Sequence, residues 1–474
     1  MAIGLQESTH DVEIRNSNPK FDDDGQVKRT GTLTTATAHI ITAVIGSGVL
    51  SLAWAIAQLG WIAGVFVLFI FSIITWFTST LLIDCYRSPT TGSRNYTYIK
   101  VVKANLGGTY YKFCGLAQYG TFIGGTIGYT VTASISLAAI VRSNCFHKKG
   151  HNAGCHTSNN KYITAFAITE ILLSQIPNFS KLAGLSIIAA VMSFAYSFIG
   201  LGLSIAEIAG GNHPKTSLTG VTIGVDVTSS EKVWNSLRAI GNIAVAYTYS
   251  IVLVEIQDTL KSSPPENLVM KKASFIGISV TTVFYMLCGI LGYAAFGNKA
   301  PDNFLTGFGF YEPFWLIDFA NMCIVVHLVG AYQVFCQPIY HLVEAWFSQR
   351  WQENKFLTKE YSVKIPMCRV HYVNTFRLVW RTAFVTVTAV IAMIFPFFNS
   401  VLSLLGAGSF WPLTVYFPIE MFISRAKIER FSFTWIWLKL LSMVCLIISL
   451  IVAVASIQGL VKDLQLFKPF SSVS

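Results

Sequence analysis

Charge is scarce in this sequence. Of 474 residues only 12% are Asp, Glu, Lys or Arg, about half the share of an average soluble domain. The nine cysteines form no CxxC pair and no Cys/His spacing of the kind that holds zinc. Residues 1–33 are polar, with the acidic triplet Asp22–Asp24 followed by Lys28 and Arg29. They contain no secretory leader, so the first apolar run must itself direct insertion. These shortages exclude a disulfide-stapled miniature, a metal module and an ordinary soluble multidomain enzyme. The chain is instead 53% apolar and 14% aromatic, which excludes disorder and fits a protein whose bulk lies in lipid.

Apolar runs cover 34–57, 62–86, 114–141, 161–177, 183–206, 233–257, 273–296, 313–346, 376–397, 400–423 and 433–460. Long continuous runs, without ten-residue alternation, exclude a barrel and leave helices as the spanning elements. The net charge of +11 reads as basic loops and implies no nucleic-acid partner. With the N-terminus in the cytoplasm, 23 of the 34 Lys and Arg fall on inside segments and 9 outside, Arg238 and Lys439 lying within spans. This bias places the C-terminus outside. Cys145 and Cys155 then share an outside loop where a disulfide is expected. The sequons at Asn95 and Asn178 fall inside and read as chance matches.

The first run carries Ile45-Gly46-Ser47-Gly48 at its centre. Small residues there suit close helix packing. They equally suit a discontinuous helix whose second half offers free N–H groups to an anion. An inverted second repeat would place a matching break in the sixth run, which has Gly241-Asn242 and then Tyr247-Thr248-Tyr249-Ser250, with no central Gly or Pro. A break is permitted there and not demanded.

The stretch TATAHIITAVIGSGVLSLAWAIAQLGW (35–61) resembles the first span of the plant amino acid permeases, in the amino acid/auxin permease family. So do RNYTY (94–98), AAVMSF (189–194), EIQDTLKS (255–262), GYAAFG (292–297) and two longer strings at 308–338 and 395–421. The resemblance covers nearly the whole chain. It implies an all-α integral membrane protein of eleven transmembrane helices, a LeuT-like 5+5 inverted repeat plus one extra helix. The divisions would be a cytoplasmic tail 1–33, repeats 34–206 and 233–424, an eleventh helix 433–460 and an extracellular tail 461–474. It also implies proton-coupled amino acid import at the plasma membrane, with H⁺ as coupling ion and no other cofactor, by a monomer in the bilayer. One departure stands out: such permeases carry Asp where this chain has Asn242. The change would alter selectivity toward acidic or basic substrates, or be a neutral packing variant.

A zwitterionic substrate needs both its charges satisfied in a dry site. Its carboxylate would meet the N–H groups of Gly46, Ser47 and Gly48. Its ammonium would meet carbonyls near Thr42, Ala43, Ala246 and Tyr247, with Tyr247, Thr248 and Tyr249 shaping the pocket and Tyr119 and Tyr129 as further walls. His39 and His327, both within spans, are expected to couple the proton, with His39, Thr42, Ala43 and Gly46 on one stripe and His327 in the inner half. Glu170 would bond Ser174 one turn on, and Asp318 would cap its helix near the outer surface. Glu255 and Asp258 would snorkel or gate against Lys28/Arg29. An auxin or other small-organic-anion carrier, a channel and a sensor are the alternatives. An intramembrane enzyme lacks a paired nucleophile and base or a metal cluster at depth.

Overall fold

Helices begin where a side chain replaces the missing backbone partner. In the computed structural model, which describes residues 22, 24–26, 28–150, 153–176, 179–211, 214–308, 313–363 and 371–466, Thr32 closes a capping box with Thr35 and opens α1, Leu33–Val44. Outside the described residues lie the tail to residue 21, Asp23, Asn178 and everything after 466. A 3-10 turn, Ser47–Ser51, leads into α2, Leu52–Asp84. There follow α3, Tyr98–Leu106, α4, Gly108–Lys149, α5, Asn159–Ser174, and α6, Phe179–Ala209. A second capping box, Thr228 with Glu231, opens α7, Ser229–Ala246, ahead of the apolar run that begins at 233. Beyond it come α8, Ser250–Asp258, α9, Glu266–Phe296, and α10, Phe314–Arg350. After α11, Lys355–Thr358, the strands β1, Glu360–Val363, and β2, His371–Asn374, pair antiparallel. The chain continues through α12, Thr375–Ile394, α13, Phe398–Ser409, a π-helical segment Phe410–Tyr416, α14, Phe417–Arg425, and α15, Phe433–Leu466.

Among the described residues nine helical stretches are long and apolar enough to cross a bilayer, where the sequence shows eleven runs. Two differences explain this. The first and second runs join into one stretch, Ser47–Asp84, and α5 has only 16 residues, short of the roughly 20 that span hydrocarbon. Ile62, Phe66 and Phe69 on α2 and Trp437, Leu440 and Val444 on α15 stand exposed, an apolar surface suited to lipid. The small hairpin, a departure from an all-helical chain, occupies the loop after α10. No apolar run exists there to bury a helix, and two strands satisfy each other's backbone.

Gly60 marks the join between the first and second runs. Its φ of 82° lies in the left-handed region, and a Cβ there would stand 2.3 Å from the amide nitrogen of Gly220. The 217–221 loop packs onto this corner, with Val221 N–H donating to Ala57 O at 2.9 Å. Lys232 Nζ donates to Gln58 O at 2.6 Å, satisfying a carbonyl at the helix end.

The bundle has two distinct ends. At one, which we term the N-terminal face, Gly31 pairs with the chain after α8, its N–H donating to Thr259 O at 2.9 Å. At the other, the disulfide face, Cys145 and Cys155 are joined with their Cα atoms 5.9 Å apart. Gly60→Ala is expected to lower the thermal midpoint of the detergent-solubilised protein by several degrees, through strain and overlap together. Gly92→Ala, also at positive φ but with no heavy atom within 4 Å, serves as comparison. Equal shifts in the two variants, measured by fluorescence-detected unfolding, would refute the packing role of Gly60.

Candidate functional site

The first span is interrupted. α1 ends at Val44, Ile45 and Gly46 take extended backbone (φ −75°, ψ 93° and φ −135°, ψ −157°), and the 3-10 turn starts at Ser47 without a side-chain cap. The sixth span is interrupted as well, although it has no central Gly or Pro. Tyr247 (φ −97°, ψ 4°) and Tyr249 (φ −110°, ψ −4°) leave the helix between α7 and α8. There the amides fall back on near carbonyls, Thr248 N–H donating to Val245 O at 3.1 Å and Tyr249 N–H to Tyr247 O at 3.1 Å. Thr248 Oγ1 donates to Ala244 O at 2.9 Å, a side-chain bond that competes with the helix ladder.

The two breaks touch. A Cβ on Gly48 would stand 3.1 Å from Ala246 Cα, so the glycine permits the approach. Tyr285, fully buried on α9, points its hydroxyl at both carbonyls: it bonds Val44 O, and it lies 3.3 Å from Ala246 O. One phenol therefore serves the last carbonyl of α1 and the last of α7. Tyr247 packs edge-on to the Tyr285 ring at 5.5 Å and donates to Thr282 Oγ1 at 3.3 Å.

His327 stands beside the first break. Its Nε2 would lie 3.8 Å from a Cβ on Gly46, and its Nδ1 is 2.8 Å from Ala189 O. A carbonyl only accepts, so Nδ1 carries the proton and the lone pair of Nε2 faces the break. Tyr196 stands edge-on to this imidazole with centroids 5.8 Å apart, and its buried hydroxyl has no hydrogen-bond partner among the described residues. The sequence reading placed His327 inward of the break. The structure puts it level, because α10 packs against α6 alongside the interrupted segment.

Other expected site residues lie elsewhere. The buried face of α1 is Ala36, Ile40 and Val44, whereas His39 and Ala43 are exposed. The helix stops before Gly46, so the stripe from His39 to Gly46 does not form. Thr42 Oγ1 is 3.0 Å from Ala38 O and from His39 O, its own helix. Tyr249 turns from the break to Ser79 Oγ at 2.9 Å and Ser274 Oγ at 2.8 Å. Tyr129 packs on Phe335, and Tyr119 on Phe122. Asn242 faces α13, donating to Asn399 Oδ1 at 2.7 Å. Glu170 does not bond Ser174: Gln333 Nε2 donates to its Oε2 at 2.7 Å and reaches Ser174 Oγ at 3.1 Å. Asp318 accepts from Asn144 Nδ2 at 2.6 Å.

Closure differs between the faces. On the N-terminal face Arg29 Nη2 contacts Asp24 at 2.7 Å and Asp258 at 3.0 Å, and Tyr86 donates to Asp258 at 2.5 Å. The hydrogen bond from Arg29 holds the Asp24 carboxyl down at about 2, so Asp24 stays ionised near neutral pH. Glu255 is not part of it and accepts from the Tyr98 amide at 3.5 Å. On the disulfide face a cavity of about 610 Å³ enters between the helices, bounded by Trp54, Arg142, Arg238, Asp302, Asn321 and Asp463 among others.

The family model for "transmembrane amino acid transporter protein" matches residues 29–462. The chain belongs to this family. It is 64% identical to amino acid permease 6 of Arabidopsis thaliana over 99% of this chain and 98% of that one. It is 60% identical to amino acid permease 1 of the same plant, over 98% and 97%. Its fold is similar to that of MhsT, solved in complex with L-phenylalanine, with a TM-score of 0.50 at 10% identity, covering 91% of this chain and all of MhsT. The architecture is the LeuT-like five-plus-five arrangement with a further helix, and the protein is a multi-pass membrane protein of a transporter family.

Within that family frame the sequence reading missed Tyr285, Asn399 and Asp302. A tyrosine in an apolar span carries no local mark of what its hydroxyl meets across the bundle. Tyr285→Phe should leave two buried carbonyls short of a donor, at about 1–3 kcal/mol. Amide exchange at 44–48 and 246–249 should then accelerate roughly tenfold or more. Unchanged exchange at both segments would remove Tyr285 as the tie.

Proposed function

We propose that this protein is a proton-coupled symporter that imports amino acids across the plasma membrane by alternating access. It acts as a monomer, with the N-terminal face cytoplasmic and the disulfide face extracellular. The observation that carries this reading is the pair of touching helix breaks with His327 Nε2 turned toward one of them.

The chemistry follows from the exposed backbone. The uncapped start of the 3-10 turn presents N–H groups of Ser47 and Gly48 and the positive end of a helix dipole, which together suit a carboxylate. The carbonyl ends of α1 and α7 lie on the other side of the break and suit an ammonium. Two of these carbonyls are taken by Tyr285, so the phenol must share them with the substrate or yield them. A proton entering from the extracellular cavity would bind His327 Nε2, and the imidazolium would then stand beside the substrate carboxylate. Release inward requires Arg29 to leave Asp258, which opens the cytoplasmic face. One proton moving through 100 mV supplies roughly 2.3 kcal/mol, enough for about fiftyfold accumulation.

Radiolabelled amino acid uptake in transport-deficient yeast tests the function. It should be concentrative and should collapse with a proton uncoupler. His327→Ala should abolish the dependence of uptake current on external pH, whereas His39→Ala, on the exposed face of α1, should retain it. Uncoupler-resistant accumulation would overturn proton coupling, and an unaltered pH profile in His327→Ala would remove the assignment to that residue.

A further inference from the structure

The extracellular cavity contains charges that the transport step above does not use. Four of its side chains are charged: Arg142 on α4, Arg238 on α7, Asp302 in the loop after α9, and Asp463 on α15. The other segments that wall it, α2, α5, α10, α13 and the stretches 305–306 and 396–397, bring amides, hydroxyls and apolar groups. Arg238 and Asp463 are linked through Ser400. Arg238 Nη1 donates to Ser400 Oγ at 2.9 Å, Ser400 donates to Asp463 at 2.8 Å, and the ions lie 3.9 Å apart.

Asp302 is held differently. Its Oδ1 accepts from Asn399 Nδ2 at 2.7 Å, and Asn399 Oδ1 in turn accepts from Asn242 Nδ2 at 2.7 Å. A two-amide ladder thus runs from a cavity carboxylate to the helix that breaks at Tyr247. Asn242 is fully buried and its own Oδ1 has no partner among the described residues.

We propose that Asp302 sorts amino acid substrates by side-chain charge as they enter the extracellular cavity. This rests on the symporter reading above and adds a specificity-determining residue to it. Asp302 is exposed to water within the walls of the cavity. This enclosure, against the opposing pull of Arg238, raises its carboxyl to about 6. Above that pH Asp302 adds a negative charge to the cavity. Below it Asp302 is neutral and the cavity loses that charge. Acidic substrates are therefore favoured at low external pH and cationic ones at higher pH.

The test is uptake of glutamate, lysine and glutamine in the same yeast cells between about pH 5 and 7.5, where glutamate and lysine largely keep their charges. The glutamate-to-glutamine ratio should fall roughly three- to tenfold as pH rises through the window, while the lysine-to-glutamine ratio rises. Asp302→Asn should flatten both ratios, holding glutamate near its low-pH value, and Asp302→Glu should keep the slopes. Each variant is normalised to its own glutamine uptake. Should Asp302→Asn not reach the surface, Asp302→Gly must give the same flattening. Flat ratios in the unmodified protein, or unaltered slopes in both neutral variants, overturn the role of Asp302 while leaving symport intact. Absence of glutamine uptake by the unmodified protein overturns the transport reading and this proposal with it.

Discussion

A helix broken in hydrocarbon exposes backbone groups that no water can satisfy, and each unpaired group costs several kcal/mol. The structure depends on meeting that demand only in part. Tyr285 takes the carbonyl ends of α1 and α7 with one hydroxyl, and Thr248 covers a carbonyl of its own helix. The amide end of the first break has no side-chain cap. At the first break open donors therefore stand beside acceptors already held.

The two breaks also separate two ends of the molecule with different chemistry. On the N-terminal face Arg29, Asp24 and Asp258 form a short-range ionic closure of a segment before α1 onto the end of α8. On the disulfide face charges are spaced around a cavity and bridged through hydroxyl and amide groups. Asp24 stays ionised near neutral pH because Arg29 is in contact with it. Asp302, lacking a cation in contact among the described residues, titrates near the middle of the range.

Legibility varied with the range of the interaction. Apolar runs locate most spans because burial in lipid requires them along the whole helix. The Gly-Ser-Gly of the first span admitted a break, and a break is there. The sixth span had no comparable mark, since its interruption depends on where Tyr247 and Tyr249 anchor their hydroxyls, on Thr282 and on Ser79 and Ser274. Seven-residue spacing put His39 and Gly46 on one face, but that inference assumed a helix continuing past Val44. Tyr119 and Tyr129, expected as further walls, pack on Phe122 and Phe335, and the second of these contacts crosses the bundle, which neighbouring residues in the chain do not reveal.

Composition and local pattern by themselves settled that this chain lies in lipid, how many apolar runs it has and where one of them weakens. They are short-range properties, read from neighbouring residues in the chain. Tertiary structure alone decided that Tyr285 closes two breaks at once, that His327 and not His39 meets the first, and that Asn242 faces Asn399. Each of those depends on helices far apart in sequence meeting at one level of the bundle. A side chain's partner across such an interface is set by helix rotation and register, which no single stretch of sequence encodes.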